Sequence, residues 1–113
     1  MRWLLRSKIH NAVVTRANPN YLGSITIDEQ LLEQVGILPG EKVLVVSNSS
    51  GARLETYAII GGRNTGAIEM NGAAAHKIGV GEQIIIMGFE LTDRQIKPKV
   101  ALVNSDNKFV KFL

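Results

Sequence analysis

The sequence predicts a mainly β protein, a small barrel with short helices assembled from two related halves. Short runs rich in Val, Ile and Thr alternate with breaks containing Gly, Asn or Pro along most of the chain. Only two short helical patterns interrupt them. One strand–helix–turn–strand unit also occurs twice: Val35-Gly36-Ile37-Leu38-Pro39-Gly40-Glu41-Lys42-Val43-Leu44-Val45 resembles Ile78-Gly79-Val80-Gly81-Glu82-Gln83-Ile84-Ile85-Ile86. In each copy a helix stops at Gly, a turn closes with Gly-Glu and a buried strand follows. A strand precedes each copy, ending at Ile27 and at Met70.

Residues 8–16 carry enough β-branched side chains for a strand, and Ala17-Asn18-Pro19-Asn20 reads as a turn. The pattern breaks at Gly23-Ser24, and Ile25-Thr26-Ile27 resumes it. Asp28 suits a helix N-cap, Glu29 favours the first turn, and Leu31, Leu32 and Val35 share one apolar face before Gly36. Leu38-Pro39-Gly40-Glu41 has the residues of a type II turn. Val43–Val46 is a continuous apolar run, hence a buried strand. Asn48–Gly51 turns the chain into Arg53–Ile60, and Gly61–Gly66 turns it again. Strand 67–70 meets Asn71, an N-cap candidate for a helix over Gly72–Ile78. Gln83–Leu91 and Val100–Val103 complete the strands, and the tail from Asn104 is expected to be only partly ordered.

At 113 residues the chain is expected to form a single domain, 1–113. It contains no cysteine, so neither a disulfide framework nor a zinc–thiolate site is available. That fits a cytoplasmic location. No apolar run reaches the length of a membrane span, and Met1–Lys8 lacks the apolar core of a secretion signal. The net charge of +3 comes from 13 Lys and Arg residues scattered without a dense block, which argues against nucleic acid as partner. Two His residues without a metal-ligand spacing argue against a metal. A phosphate loop, a dinucleotide fingerprint and a nucleophile elbow are all missing.

Four blocks remain: Lys8-Ile9-His10; Tyr21-x-Gly23-Ser24-x-x-Ile27-Asp28; Gly51-x-Arg53-x-x-Thr56-Tyr57-Ala58-Ile59; and Asn71-Gly72-Ala73-Ala74-Ala75-His76. Together, in this order, they resemble the pyruvoyl-dependent aspartate 1-decarboxylases over roughly residues 1 to 103. The departures are Asn18-Pro19, where that family usually has Asp-Leu, and Lys97, where Arg commonly precedes the Pro. The resemblance implies a double-psi β-barrel, which agrees with the duplicated unit. It also implies self-cleavage between Gly23 and Ser24 into chains 1–23 and 24–113, with Ser24 becoming a pyruvoyl group. Gly23 would admit a strained or positive-φ backbone there. The reaction implied is decarboxylation of L-aspartate to β-alanine, a step toward pantothenate and coenzyme A, in a homotetramer with active sites between subunits.

The roles carried by the resemblance fall on specific residues. Ser24 is nucleophile and cofactor precursor, and Thr56 and Asn71 support processing. Arg53 holds a substrate carboxylate with Lys8 as a second cation, since guanidinium can grip a carboxylate bidentately. Tyr57 donates a proton to the carbanion. Gly72, Ala73 and Ala74 present backbone N–H groups at a helix start, and His10 and Tyr21 shape the pocket. A competing reading is a small basic β-barrel binding module; it would not need Gly-Ser, Arg-x-x-Thr-Tyr and Asn-Gly-Ala-Ala together.

Overall fold

In the computed structural model, which describes residues 1–113, the strands follow the hydrogen-bonded order β2-β6-β3-β5-β4-β7-β1-β8-β9. These are β1 (Arg2–Val13), β2 (Arg16–Asn18), β3 (Ser24–Asp28), β4 (Lys42–Ser47), β5 (Arg53–Gly61), β6 (Ile68–Asn71), β7 (Gln83–Thr92), β8 (Lys99–Val103) and β9 (Phe109–Phe112). Only Val14 and Thr15 separate β1 from β2, so one run borders β7 at one end and β6 at the other. The sheet therefore closes on itself. Inward residues of the barrel strands, among them Ile9, Ile25, Ile27, Val43, Val45, Ala58, Ile68, Met70, Ile84 and Ile86, are fully buried in one apolar core. Each large aliphatic side chain contributes roughly 1.5–3 kcal/mol by leaving water.

The duplicated unit is a structural repeat. Helix α1 (Glu29–Val35) links β3 to β4, and a 3₁₀ helix (Gly72–His76) links β6 to β7. The paired equivalents lie against each other, β3 antiparallel to β6 and β4 antiparallel to β7. β5 is antiparallel to β4 and parallel to β3; the β1–β2 run is likewise antiparallel to β7 and parallel to β6. This interlocked two-fold arrangement is the double-psi β-barrel.

The repeat extends to single hydrogen bonds. Gly40 N donates to Ala58 O at 2.7 Å and Ala58 N to Glu41 O at 3.0 Å; Gly81 N donates to Val14 O at 2.9 Å and Val14 N to Glu82 O at 3.0 Å. Both glycines lie in the left-handed region, at φ +86° and +87°, which a side chain would disfavour. Each glutamate carboxylate also accepts from a backbone N–H three residues back, Glu41 from Leu38 at 3.0 Å and Glu82 from Gly79 at 2.6 Å. The Gly-Glu signature thus marks a turn that locks each helix–strand unit onto a crossing strand.

Asp28 caps α1 by accepting from Gln30 N at 2.9 Å, and Gly36 ends it at φ +75°. Four expectations need correction. β1 begins at Arg2 because β7 pairs with it from there. Ala17 and Asn18 belong to a strand with Arg16 rather than to the start of a turn, since β6 supplies a parallel partner. The second helix is 3₁₀ and stops at His76; Lys77 N and Ile78 N both donate to Ala74 O at 3.0 Å. The tail is ordered by β9, which pairs with β8, and by Asn107, whose buried amide accepts from Val13 N and donates to Val13 O and Gly66 O at 2.7–2.8 Å.

Candidate active site

Ser24 opens β3 opposite Asn71 in the β3–β6 ladder and is 1% exposed. Its backbone sits at φ +108°, a region that a residue with a Cβ seldom occupies. The strain expected at Gly23 therefore falls on Ser24 instead. Such a conformation costs about 1–3 kcal/mol and persists only where the surroundings enforce it.

Those surroundings are Asn71 and Gly72. Asn71 Nδ2 donates to Ser24 Oγ at 3.0 Å and to Thr26 Oγ1 at 2.9 Å. The same commitment explains why Asn71 makes no cap bond to the 3₁₀ helix: its amide faces across the ladder to β3. Gly72, at φ +68°, has no room for a side chain. A Cβ there would lie 2.7 Å from Gly23 N, 2.8 Å from Gly23 Cα and 2.9 Å from Tyr21 O. The segment leading to Ser24 is thus packed directly on the Gly72 backbone.

Ser24 lies on the wall of a cleft of about 280 Å³. This is close to the lower bound for small-ligand sites. Six of the expected residues line it: Gly23, Ser24, Thr56, Asn71, Ala73 and Ala74. Leu54, Glu55 and Lys77 complete it. The sequence reading missed these three, and nothing in a strand alternation or a helix end marks them in advance.

Other expected residues do not line this cleft. Arg53 and Tyr57 are exposed on β5, two residues to either side of Glu55 and one pleat repeat from the rim. Lys8 and His10 lie on β1, where Lys8 is flanked by Met87 and Val100, with β4 and β7 between β1 and β5. His10 Nδ1 is buried without a hydrogen-bond partner. Tyr21 is about half exposed and meets the site through its backbone oxygen at Gly72. A larger concavity of about 620 Å³ lies across β1, β7, β4 and β5, floored by Trp3, Val43, Leu44 and Phe89.

The profile of the aspartate decarboxylase family matches residues 1–110. This chain belongs to that family. An aspartate 1-decarboxylase from Carboxydothermus hydrogenoformans is 52% identical over 112 residues, covering 96% of this chain and 88% of the relative. An aspartate 1-decarboxylase from Staphylococcus aureus is 49% identical over 117 residues, covering all of this chain and 92% of the relative. Members of this family are decarboxylases, and the strained serine beside an amide donor in a cleft is this chain's candidate site.

Proposed function

We propose that this chain cuts itself between Gly23 and Ser24, and that it then decarboxylates L-aspartate to β-alanine using a pyruvoyl group made from Ser24. The observation that carries this is Ser24 itself, held at φ +108° with Asn71 Nδ2 on its Oγ.

In the first step Ser24 Oγ attacks the Gly23 carbonyl carbon. The new C–O bond replaces the Gly23–Ser24 C–N bond, and the hydroxyl proton passes to the freed amine. Breaking the amide relieves the constraint that holds Ser24 at a disfavoured φ. Asn71 fixes the Oγ, and Thr56, on the same cleft wall, supplies a hydroxyl to the Gly23 carbonyl oxygen. Elimination across Ser24 Cα–Cβ then expels the Gly23 carboxylate. Water converts the remaining enamine to a ketone and releases ammonia.

The residues present fit such a group. Ser24 heads a chain that can separate at Gly23, and the cleft in front of it is bounded by the small side chains of Ala73 and Ala74. The pyruvoyl ketone supplies the electron sink for loss of CO2 from an amino acid. Arg53 and Lys8 bind substrate carboxylate, and Tyr57 returns a proton to the substrate α-carbon. His10 and Tyr21 shape the pocket, and the backbone of Gly72–Ala74 orients the bound anion. Arg53, Tyr57, Lys8 and His10 lie outside the cleft of their own chain, which favours a homotetramer in which neighbours complete each site. The exposed Trp3 and Phe89 face gives such an assembly apolar surface to cover. The product feeds pantothenate and coenzyme A synthesis in the cytoplasm.

Replacing Ser24 with Ala tests this reading. The variant is expected to stay uncut and to release no CO2 from labelled L-aspartate. Decarboxylation by uncut protein would overturn it.

A further inference from the structure

Lys77 is the cation that the cleft itself contains. It follows the 3₁₀ helix, its backbone N tied to Ala74 O at 3.0 Å, and it lines the same cleft as Ser24. No other Lys, Arg or His lines that cleft. The single acid there, Glu55, pairs with Lys42 at 2.9 Å, whereas Lys77 enters no ion pair. Ala73 and Ala74, beside Lys77 on the cleft wall, are small enough to leave the intervening space open.

Resting on the function proposed above, we infer that Lys77 joins Arg53 and Lys8 in binding the side-chain carboxylate of the acidic amino-acid substrate, the carboxylate that is not lost. A cation fixed on the departing α-carboxylate would stabilise the ground state more than the transition state and slow the reaction. A cation on the spectator carboxylate holds both states alike. Its loss therefore raises KM and leaves kcat nearly unchanged. Lys77 is a specificity-determining residue that selects a second negative charge and orients the amine toward residue 24.

The experiment compares wild type, Lys77→Met and Lys77→Arg, each first checked by intact mass for scission after Gly23. Lys77 is an exposed side chain. Lys77→Met is expected to be fully cut, with KM for L-aspartate raised about two- to fivefold, the size of an exposed charge pair. Its kcat should change by less than about twofold. Inhibition by succinate should weaken by the same factor as KM rises, and Lys77→Arg should restore both. A fully cut Lys77→Met protein with unchanged KM and succinate inhibition overturns the inference, as does a fall in kcat alone. Failure of Lys77→Met to cut would place Lys77 in maturation and overturn it too. A cut wild type that decarboxylates nothing would sink the proposed function instead. Succinate titration of the two cut proteins by calorimetry would then still decide on Lys77.

Discussion

Gly72→Ala separates packing against the cleavage segment from general stability. The added Cβ would sit 2.7–2.9 Å from Gly23 N, Gly23 Cα and Tyr21 O, all backbone atoms that cannot rotate away. Ordinary contact requires them to retreat by roughly half an ångström, and a full ångström of misplacement costs about 10²-fold in such reactions. Self-cleavage is therefore expected to slow by about tenfold. The left-handed φ of +68° adds about 1–2 kcal/mol of strain, which lowers Tm by roughly 5–10 °C. The control is Gly36→Ala, at φ +75° with nothing within 4 Å of its Cβ. It carries the same backbone strain without the clash, so it should lose stability, though less than Gly72→Ala, and it should cut at the wild-type rate. The assay follows intact mass against time in freshly made protein, with Tm measured on the uncut fraction. Equal cutting rates for Gly72→Ala and wild type would refute the packing argument.

Two further outcomes follow from buried or clustered polar groups. Asn107→Ala removes three hydrogen bonds and leaves Val13 N without its partner, so urea unfolding should show a loss of about 1–3 kcal/mol; a change below about 0.5 would contradict the clasp. The Glu82 carboxylate is held below its ordinary value of about 4.5, first by the Gly79 N–H and then by the Ser47 hydroxyl, with Ser50 adding a third donor. A depressed carboxylate stabilises the fold above the unfolded-state pKa and loses that contribution as pH falls through the folded value. The Tm gap between wild type and Glu82→Gln should thus be widest above about pH 5 and close as pH drops below about 4.5. A gap independent of pH across this window would contradict it.

The repeat was legible because its turns carry their own chemistry. Gly40 and Gly81 need a positive φ, and Glu41 and Glu82 each close the turn with a carboxylate. Asp28 and Gly36 announced α1 for the same local reason. What escaped were features made by distant partners. Ala17 and Asn18 are extended only because β6 pairs with them, and Phe109–Phe112 only because β8 does. Asn71 carries a cap residue's signature, yet the ladder places it opposite Ser24, and the side-chain bond wins over the cap. Gly23 invited strain by its type, but the backbone strain sits on Ser24, where β3 begins. Ser24, Thr56 and Asn71 were singled out by motif resemblance, and the fold gathers them in one cleft. Lys77 and Glu55 had no motif to mark them; the pairing of β3 with β5 and with β6 brings them to Ser24's cleft.

On the proposed function, the Gly23–Ser24 bond is the substrate of the first reaction and the source of the group used in the second. Intact-mass analysis of the purified wild-type chain under denaturing conditions should show two fragments, residues 1–23 ending in a free carboxylate and residues 24–113 beginning with a ketone that resists amino-terminal degradation. A single uncut chain that nonetheless converts L-aspartate to β-alanine would contradict it.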